Sequence, residues 1–230
     1  MATAGRQRVA IFGSSVDPPT GTGGHLGLVS FLASKFDGVL VLPVYEHIFD
    51  SKRSRLAPFE HRVEMAKRCF AGVEGKVEVS LVEKEVAQLV EAGQRVGTYD
   101  VLEHLRKIPE NKNRDFVLAL GGDTFADIVA GKWKNGNEIL ASTEIAVISR
   151  PGVAATEYDP SKVKGVCFYE MPRASDVSST AAREACAVGD EETLAKHLHP
   201  DVVAYIKANK LYGYGHEAEN AEAPAPIDAT

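Results

Sequence analysis

The stretch RVAIFGSSVDPPTGTGGHLGLVSFLASKF, residues 8–36, carries the strongest structural signals in the chain. Residues 8–12 form a short apolar run that ends at Gly13, which is typical of a buried strand. Residues 26–36 place apolar side chains at the spacing of one helix face. The segment between them is rich in glycine and hydroxyl side chains, as in a tight loop. The order strand, glycine-rich loop, helix predicts the first unit of an α/β fold.

The same alternation of strands and helices continues along the chain. Strands are predicted at residues 8–12, 38–42, 77–82, 116–120, 145–149 and 166–171. Helices are predicted at residues 26–36, 58–71 and 98–107, followed by a run of short helices at 179–187, 190–198 and 200–209. The strands are apolar without strict alternation, which indicates parallel strands buried on both faces. We therefore predict a doubly wound, Rossmann-like parallel sheet with helices on both faces and a C-terminal helical segment.

Composition and charge indicate one folded domain with an acidic tail. The 230 residues are 44% hydrophobic and 25% charged, which is enough apolar material for a full core. We predict an N-terminal extension at residues 1–7, one domain at 8–213 whose helical part begins at about 178, and a disordered tail at 214–230. Removing the four acidic residues near the C-terminus brings the net charge from −6 to −2. A nearly neutral body argues against binding to nucleic acid.

The cysteines and the hydropathy pattern indicate the cellular compartment in which the protein is expected. Cys69, Cys167 and Cys186 are scattered and form no CxxC pair, which argues against a disulfide framework and against a zinc site. No apolar run approaches the length of a membrane span, and no signal peptide is evident. We expect a cytoplasmic protein without a membrane partner. A nuclear or other soluble intracellular location and a homo-oligomer both stay open.

The first candidate site is the glycine-rich loop that precedes His25. Parallel sheets bind ligands beyond the carboxyl ends of their strands, and polar residues follow most of the predicted strands here. Glycines let the backbone approach an anion closely, and a helix N-terminus offers N–H groups to it. A histidine at that terminus suits a nearby phosphate. Because the loop matches neither the GxGxxG nor the GxxxxGK[ST] pattern, a purely structural turn explains it equally well.

A second candidate is the run of Ser178, Ser179 and Thr180, followed by Arg183. One hydroxyl is enough to cap a helix, so three in a row exceed what capping needs. An arginine in the first turn of a helix is disfavoured by the helix dipole unless an anion is bound there. This arrangement favours a polyphosphate site, and a capping role is compatible with it.

Further candidates follow the other strands. Gly122 and Asp123 come after a strand, where the carboxylate would hold a ribose hydroxyl or a magnesium-bound phosphate, or would cap the next helix. Trp133 is the only tryptophan and suits either stacking on a flat ring or ordinary core packing. A basic segment that includes Lys52 is either a phosphate-steering loop or a solvated run of charge. His47 precedes it in the same loop.

Taken together, these motifs resemble a known superfamily. FGSSVDPPTGTGGH resembles the FGG(S/T)FxPxTxGH start of nucleotidylyltransferases, and VSSTAAR resembles their SSTxxR signature. The tryptophan, GTYDVL, RPG at residues 150–152 and the ending HPDVVAYIKANKLYG resemble the nicotinamide/nicotinate mononucleotide adenylyltransferases in particular. The resemblance extends from residue 8 to residue 213.

This resemblance implies a direct, in-line reaction. The 5′-phosphate of nicotinamide or nicotinate mononucleotide would attack the α-phosphorus of ATP, in the presence of Mg²⁺, and give a dinucleotide and pyrophosphate. No covalent enzyme intermediate is expected, and catalysis would consist of positioning and charge stabilisation.

The resemblance also implies roles for individual residues. The catalytic residues would be His25, Arg183 and Lys52. ATP would be held by Gly13, Ser14, Ser15, Thr22, Gly122, Asp123, Ser178, Ser179 and Thr180, with Asp123 also the metal contact. The acceptor would be held by His47, Thr98, Trp133 and Arg150.

The sequence departs from the family pattern at several positions. The loop before His25 is two residues longer, so either Thr20 or Thr22 corresponds to the family threonine. We prefer Thr22, because residues 22–25 preserve TxGH. Ser14 stands where the family often has glycine, and residues 43–52 lack the compact PPHK form. The alternatives are phosphopantetheine as acceptor, cytidylyl transfer to an alcohol phosphate, or a non-catalytic nucleotide-binding scaffold that uses the acidic tail as its contact site.

Overall fold

Six parallel strands form one sheet in the order β3-β2-β1-β4-β5-β6. A computed structural model describes residues 5–46, 56–91, 94–149, 157–171 and 176–215. The strands are β1 (Gln7–Ser14), β2 (Gly38–Pro43), β3 (Val77–Val79), β4 (Arg114–Gly121), β5 (Glu144–Ser149) and β6 (Val166–Glu170). This strand order is that of a doubly wound sheet and confirms the predicted fold class.

Nine α-helices lie within the described residues, and short 3₁₀ turns accompany them. The helices are α1 (His25–Ala33), α2 (Phe59–Phe70), α3 (Val82–Leu89), α4 (Thr98–Lys107), α5 (Gly122–Val129), α6 (Gly136–Ser142), α7 (Ser179–Val188), α8 (Glu191–His197) and α9 (Pro200–Ala208). Among the described helices, none has the length and apolar character needed to cross a membrane.

The core is divided into two halves by the sheet. Alternate residues of β1 point to opposite sides, so Ala10 packs with α1, α2 and α7–α9, whereas Ile11 packs with α3–α6. Both residues are almost fully buried. The central strands are therefore covered on both faces, as their continuous apolar sequences predicted.

The predictions failed around three helices. The strand expected at residues 77–82 ends at Val79, and Val82 instead begins α3, where its N–H donates to Ser80 Oγ. Helices α5 and α6 were not predicted because their glycine-rich starts resemble loops. The predicted N-terminal extension and acidic tail fall largely outside the described residues.

Candidate active site

A cavity of about 380 Å³ lies outside the carboxyl ends of β1, β4 and β5. Helix α1, which follows β1, packs on one face of the sheet, whereas α5, which follows β4, packs on the other. Neighbouring strands whose connections diverge in this way leave a crevice, and open α/β sheets bind ligands there. The lining includes Ser14, Thr20, Gly24, His25, Gly121 and Val177. The first candidate loop therefore faces the cavity.

His25 is fixed by hydrogen bonds at both ring nitrogens. The backbone N–H of Thr20 donates to His25 Nδ1 over 3.0 Å, and Thr20 Oγ1 lies 2.8 Å from the same nitrogen. Because a backbone N–H can only donate, Nδ1 carries no proton in the neutral ring. The proton is then on Nε2, which donates to Ser14 Oγ over 3.0 Å. The Ser14 oxygen also accepts from the N–H of Val16, so its own hydroxyl proton is free to point into the cavity.

The charge state of His25 follows from its surroundings. Burial lowers the pKa of His25 to about 4. The imidazole is therefore neutral at neutral pH and acts as an N–H donor. A bound phosphate would favour the protonated form and raise this pKa. His25 is thus suited to donate a hydrogen bond to developing negative charge and does not carry a permanent positive charge.

Thr20 contacts His25, whereas the sequence had favoured Thr22 for this position. The Thr20 side chain is buried, and its Oγ1 accepts the N–H of His25 over 3.0 Å. Thr22 is exposed and lines a separate cavity of about 650 Å³ behind α1. The two extra residues therefore bulge away from the site. Of the two threonines, Thr20 is the one that orients the imidazole.

Two glycines, Gly24 in this loop and Gly27 in the first turn of α1, are required by close packing. A Cβ atom at Gly24 would lie 2.1 Å from Thr20 Oγ1 and 2.8 Å from Val177 Cγ2. A Cβ atom at Gly27 would lie 2.0 Å from the carbonyl oxygen of Thr22. The bulge therefore needs glycine on either side of its return to the helix.

We call residues 13–25 the histidine loop. At its end the first N–H groups of α1 are already used. The N–H of His25 donates to Thr20 Oγ1, and that of Leu26 donates to the Thr20 carbonyl over 3.0 Å. The expectation that this helix terminus offers free N–H groups to phosphate is therefore wrong for these two positions. What the loop presents to the cavity is the imidazole and the hydroxyl of Ser14.

We call residues 178–183 the arginine turn. Ser178 is the N-cap of α7, and its side chain accepts from the N–H of Ala181 over 3.4 Å. The hydroxyl of Ser179 donates to the Pro18 carbonyl over 2.8 Å. The N–H groups of Ser179 and Thr180, in contrast, have no hydrogen-bond acceptor among the described residues. Free N–H groups at the start of a ten-residue helix are suited to an anion.

Arg183 extends back toward the histidine loop. Its guanidinium donates to the Asp17 carbonyl over 2.6 Å and to Thr180 Oγ1 over 3.1 Å. The Arg183 side chain is still 29% exposed, so it remains accessible to a ligand. The two candidate regions are therefore parts of one site.

His197, a buried residue at the end of α8, also joins the two regions. Its carbonyl accepts the N–H of Gly21 over 2.8 Å, and its Nδ1 accepts the N–H of Ser178 over 3.0 Å. The sequence gives no local sign of this contact, because the residues lie far apart in the chain.

The end of β4 is open. Gly121 is the N-cap of α5, and a Cβ atom at Gly122 would meet nothing within 4 Å. Asp123 is exposed in the first turn, makes no capping hydrogen bond and has no partner among the described residues. The capping alternative for Asp123 is therefore wrong, and its carboxylate is available to a ligand.

Of the acceptor residues expected from the sequence, Thr98 and Trp133 lie within the described residues, and neither lines this cavity. Thr98 begins α4, and Trp133 packs half-buried against the core on the same face of the sheet. Lys134 joins their segments, since its Nζ lies 3.3 Å from Asp100 Oδ2. Predicted site residues His47, Lys52 and Arg150 lie outside the described residues. No group of three or more metal-ligating acidic, histidine or cysteine side chains occurs in the described ranges.

Sequence reasoning missed a buried arginine that holds the surrounding loops. Arg62 is 2% exposed and donates to four backbone carbonyls, those of Ser15, Val44, Tyr45 and Ala57, over 2.6–3.2 Å. It therefore ties the histidine loop to the segments that follow β2 and precede α2.

A sequence signal for Arg62 was available. Arg62 lies three residues after Phe59 and four before Ala66, and both of those residues are buried on the inner face of α2. A charged residue at apolar-face spacing must find polar partners inside the fold.

Comparisons with known proteins agree with this geometry. A family model described as cytidylyltransferase-like matches residues 11–185. A probable nicotinate-nucleotide adenylyltransferase of Roseiflexus sp. (strain RS-1) is 31% identical over 212 residues, covering 89% of this chain and 97% of that protein. A protein of the same description from Chlorobaculum tepidum is 29% identical, over 89% of this chain and 98% of its own length.

Solved structures show the same fold. Plasmodium falciparum nicotinic acid mononucleotide adenylyltransferase, complexed with APC, is similar with a TM-score of 0.71 and 20% identity, over 91% of this chain and 99% of that one. The same enzyme complexed with NaAD gives a TM-score of 0.69.

Proposed function

The chain belongs to the cytidylyltransferase-like family, and from this premise we propose that it transfers the adenylyl group of ATP to the 5′-phosphate of nicotinate mononucleotide. The products are nicotinate adenine dinucleotide and pyrophosphate. It is thus an adenylyltransferase of NAD biosynthesis. The names of its relatives favour the acid form of the mononucleotide over the amide form.

The reaction needs no nucleophile from the protein. An oxygen of the mononucleotide phosphate attacks the α-phosphorus of ATP, and the bond from that phosphorus to the β-bridging oxygen breaks. The electron pair leaves with pyrophosphate. Because the nucleophile is already an anion, the protein's contribution is to align the two phosphates and to stabilise the charge on the equatorial oxygens.

The observation that carries this proposal is the direct contact between the histidine loop, which lines the cavity, and the arginine turn: Ser179 donates to the Pro18 carbonyl and Arg183 to the Asp17 carbonyl. On one side the hydroxyl of Ser14 supplies a donor, and the Nε2–H of His25, which donates to Ser14 Oγ in this structure, would be shared with a bound phosphate. The N–H groups of Ser179 and Thr180, which have no acceptor among the described residues, and the guanidinium of Arg183 supply donors on the other side. We assign the α-phosphate to the first group and the β- and γ-phosphates to the second.

The remaining ligand contacts are assigned from the sequence resemblance. Thr98 and Trp133 would hold the pyridine ring, and Gly122 with Asp123 would hold ribose. Residues outside the described part of the chain, His47, Lys52 and Arg150, keep their predicted roles in steering phosphates and binding the acceptor.

Magnesium fits this arrangement as a partner of ATP. Mg²⁺ usually binds to substrate phosphates and to one or two carboxylates, and keeps several waters. Asp123 is an exposed carboxylate just after β4 with no partner in the described part of the chain, so it would be the contact from this chain. The ion would neutralise charge on the phosphates during transfer.

A panel of acceptors tests the proposal. The protein is mixed with ATP, Mg²⁺ and either nicotinate mononucleotide, nicotinamide mononucleotide or phosphopantetheine; a CTP reaction with an alcohol phosphate is run in parallel. Pyrophosphate release and product mass are measured. We expect the highest kcat/KM with nicotinate mononucleotide. Preference for another acceptor would overturn the substrate assignment, and nucleotide binding without any product would support a scaffold instead.

A further inference from the structure

Asp17 is a buried carboxyl group in the histidine loop with an unusual set of neighbours. It is 4% exposed. Its Oδ1 accepts from the hydroxyl of Tyr212 over 2.7 Å and from the N–H of Ala57 over 3.2 Å. Its Oδ2 accepts no hydrogen bond from the described residues and lies 3.9 Å from the guanidinium of Arg183. The free oxygen of a buried carboxyl therefore faces the cation of the proposed triphosphate site.

Arg183 is held mainly through the same residue. The shorter of its two hydrogen bonds, 2.6 Å, goes to the backbone carbonyl of Asp17. Both the carbonyl and the carboxyl of one residue thus determine where the guanidinium lies. Movement of Asp17 would move the arginine.

The other end of this arrangement is the C-terminal part of the described chain. Tyr212 lies in a short turn after α9, 195 residues from Asp17 in sequence. Its φ of 56° places it in the left-handed region, which non-glycine residues adopt rarely. A side chain set at such a backbone position and hydrogen-bonded to a buried carboxyl is tightly constrained.

We propose that Tyr212 is a positioning residue that acts through Asp17 on Arg183, so that the C-terminal turn sets the geometry of the triphosphate site. This inference rests on the proposed function. Tyr212 itself does not touch the substrates. Its hydroxyl fixes the Asp17 carboxyl, and the carboxyl and carbonyl of Asp17 fix the guanidinium before ATP arrives, which reduces the ordering cost of binding.

The attraction between Asp17 and Arg183 requires an ionised carboxyl, and the net effect of its surroundings is to raise the pKa of Asp17. Burial raises the pKa of Asp17, whereas the hydroxyl of Tyr212, the N–H of Ala57 and the charges of Arg183 and Arg62 lower it. Arg62 on α2, Arg183 on α7 and Tyr212 on the C-terminal turn are the ionisable groups that face the carboxyl in the described residues. Removing the tyrosine hydroxyl therefore raises the pKa of Asp17 further. The carboxyl then takes up its proton at a higher pH and no longer attracts Arg183.

The test is Tyr212→Phe, with Tyr214→Phe as matched control. Tyr214 is two residues further along, and its hydroxyl also donates to a carboxylate, that of Glu191, but at the surface. For both variants, kcat, KM for ATP, ATP affinity by calorimetry, pH profiles and Tm are measured. We expect Tyr212→Phe to weaken ATP binding and raise KM for ATP by about tenfold, the loss of one hydrogen bond to a charged group. We also expect the acid limb of its kcat/KM profile to move to higher pH, with Tyr214→Phe unchanged.

Three results would overturn the inference. The first is wild-type ATP affinity and pH profile in Tyr212→Phe. The second is a lower Tm with no shift of the acid limb, since that would mark a merely structural role. The third is an equal effect of Tyr214→Phe. If the wild-type protein makes no dinucleotide, the proposed function fails by itself, and the calorimetric ATP affinities still decide the inference.

Discussion

The histidine loop and the arginine turn both lie at the start of a helix, yet they satisfy their polar groups in opposite ways. In the histidine loop, Thr20 takes up the first N–H groups of α1 and one nitrogen of the imidazole. In the arginine turn, the hydroxyls of Ser178 and Thr180 accept hydrogen bonds within the turn, and that of Ser179 donates to Pro18 in the histidine loop. Two N–H groups of the turn have no acceptor among the described residues, and its guanidinium is partly exposed. One region is closed on itself, whereas the other is open to an anion.

This difference suggests that the two regions contribute to different steps, one to the chemical step and the other to the binding of ATP. A rigid loop that presents a neutral imidazole binds a ground-state phosphate weakly, but it is well placed to donate to charge that develops in the transition state. An open helix terminus with a cation binds a polyphosphate in the ground state as well. We therefore expect substitutions in the histidine loop to act mainly on kcat and those in the arginine turn mainly on KM for ATP.

The largest effect is expected for His25→Ala. Loss of a donor to developing charge should lower kcat by about 10²- to 10³-fold, with little change in KM for ATP. Steady-state kinetics at saturating substrates checks this. His104→Ala, on α4 and remote from the cavity, is the control and should keep wild-type kcat. A His25→Ala enzyme with normal turnover would remove the histidine from the mechanism.

A smaller effect, of a different kind, is expected for Arg183→Ala. The variant loses a cation that would pair with the β- and γ-phosphates, so KM for ATP should rise by about 10- to 100-fold. Its kcat should fall less than that of His25→Ala. ATP titrations at fixed mononucleotide measure both values. An unchanged KM accompanied by a large loss of kcat would reverse the proposed division between the two regions.

The smallest effect distinguishes two threonines within the histidine loop. Thr20→Val removes the hydroxyl that orients the imidazole, and kcat should fall by about tenfold. Thr22→Val changes an exposed side chain that makes no contact with the histidine, and kcat should stay within about twofold of wild type. Parallel assays of the two variants decide which threonine serves the site. Equal losses, or a greater loss for Thr22→Val, would restore the assignment made from the sequence.

Much of the fold was predictable because short segments of the sequence determine the strands. Strands β1, β2, β4 and β5 are continuous apolar runs bounded by polar residues, and their covered positions follow from that pattern. Helix α3 was not predictable in the same way, since only Val82 and Val86 of its residues are buried. With so few apolar positions the helical period is hard to distinguish from a short strand.

The site was predictable in composition but not in detail. Ser14, His25 and Arg183 were recognised from their motifs, whereas His197, which joins the two regions, was not. The choice between Thr20 and Thr22 depends on the path of a bulge. That path is fixed by Gly27, which admits the Thr22 carbonyl, and by His197, which accepts from Gly21. The second contact spans most of the chain, so local spacing cannot reveal it. The same holds for the pairing of Asp17 with Tyr212.

The central claim is a single in-line transfer carried out by positioned donors and no protein nucleophile. Isotope exchange between labelled pyrophosphate and ATP tests it most directly. With ATP, Mg²⁺ and labelled pyrophosphate alone, we predict no label in ATP. Adding nicotinate mononucleotide should start both the exchange and the net formation of dinucleotide, with one dinucleotide molecule formed for each pyrophosphate released. Exchange in the absence of mononucleotide would reveal an adenylylated protein intermediate and would contradict the account.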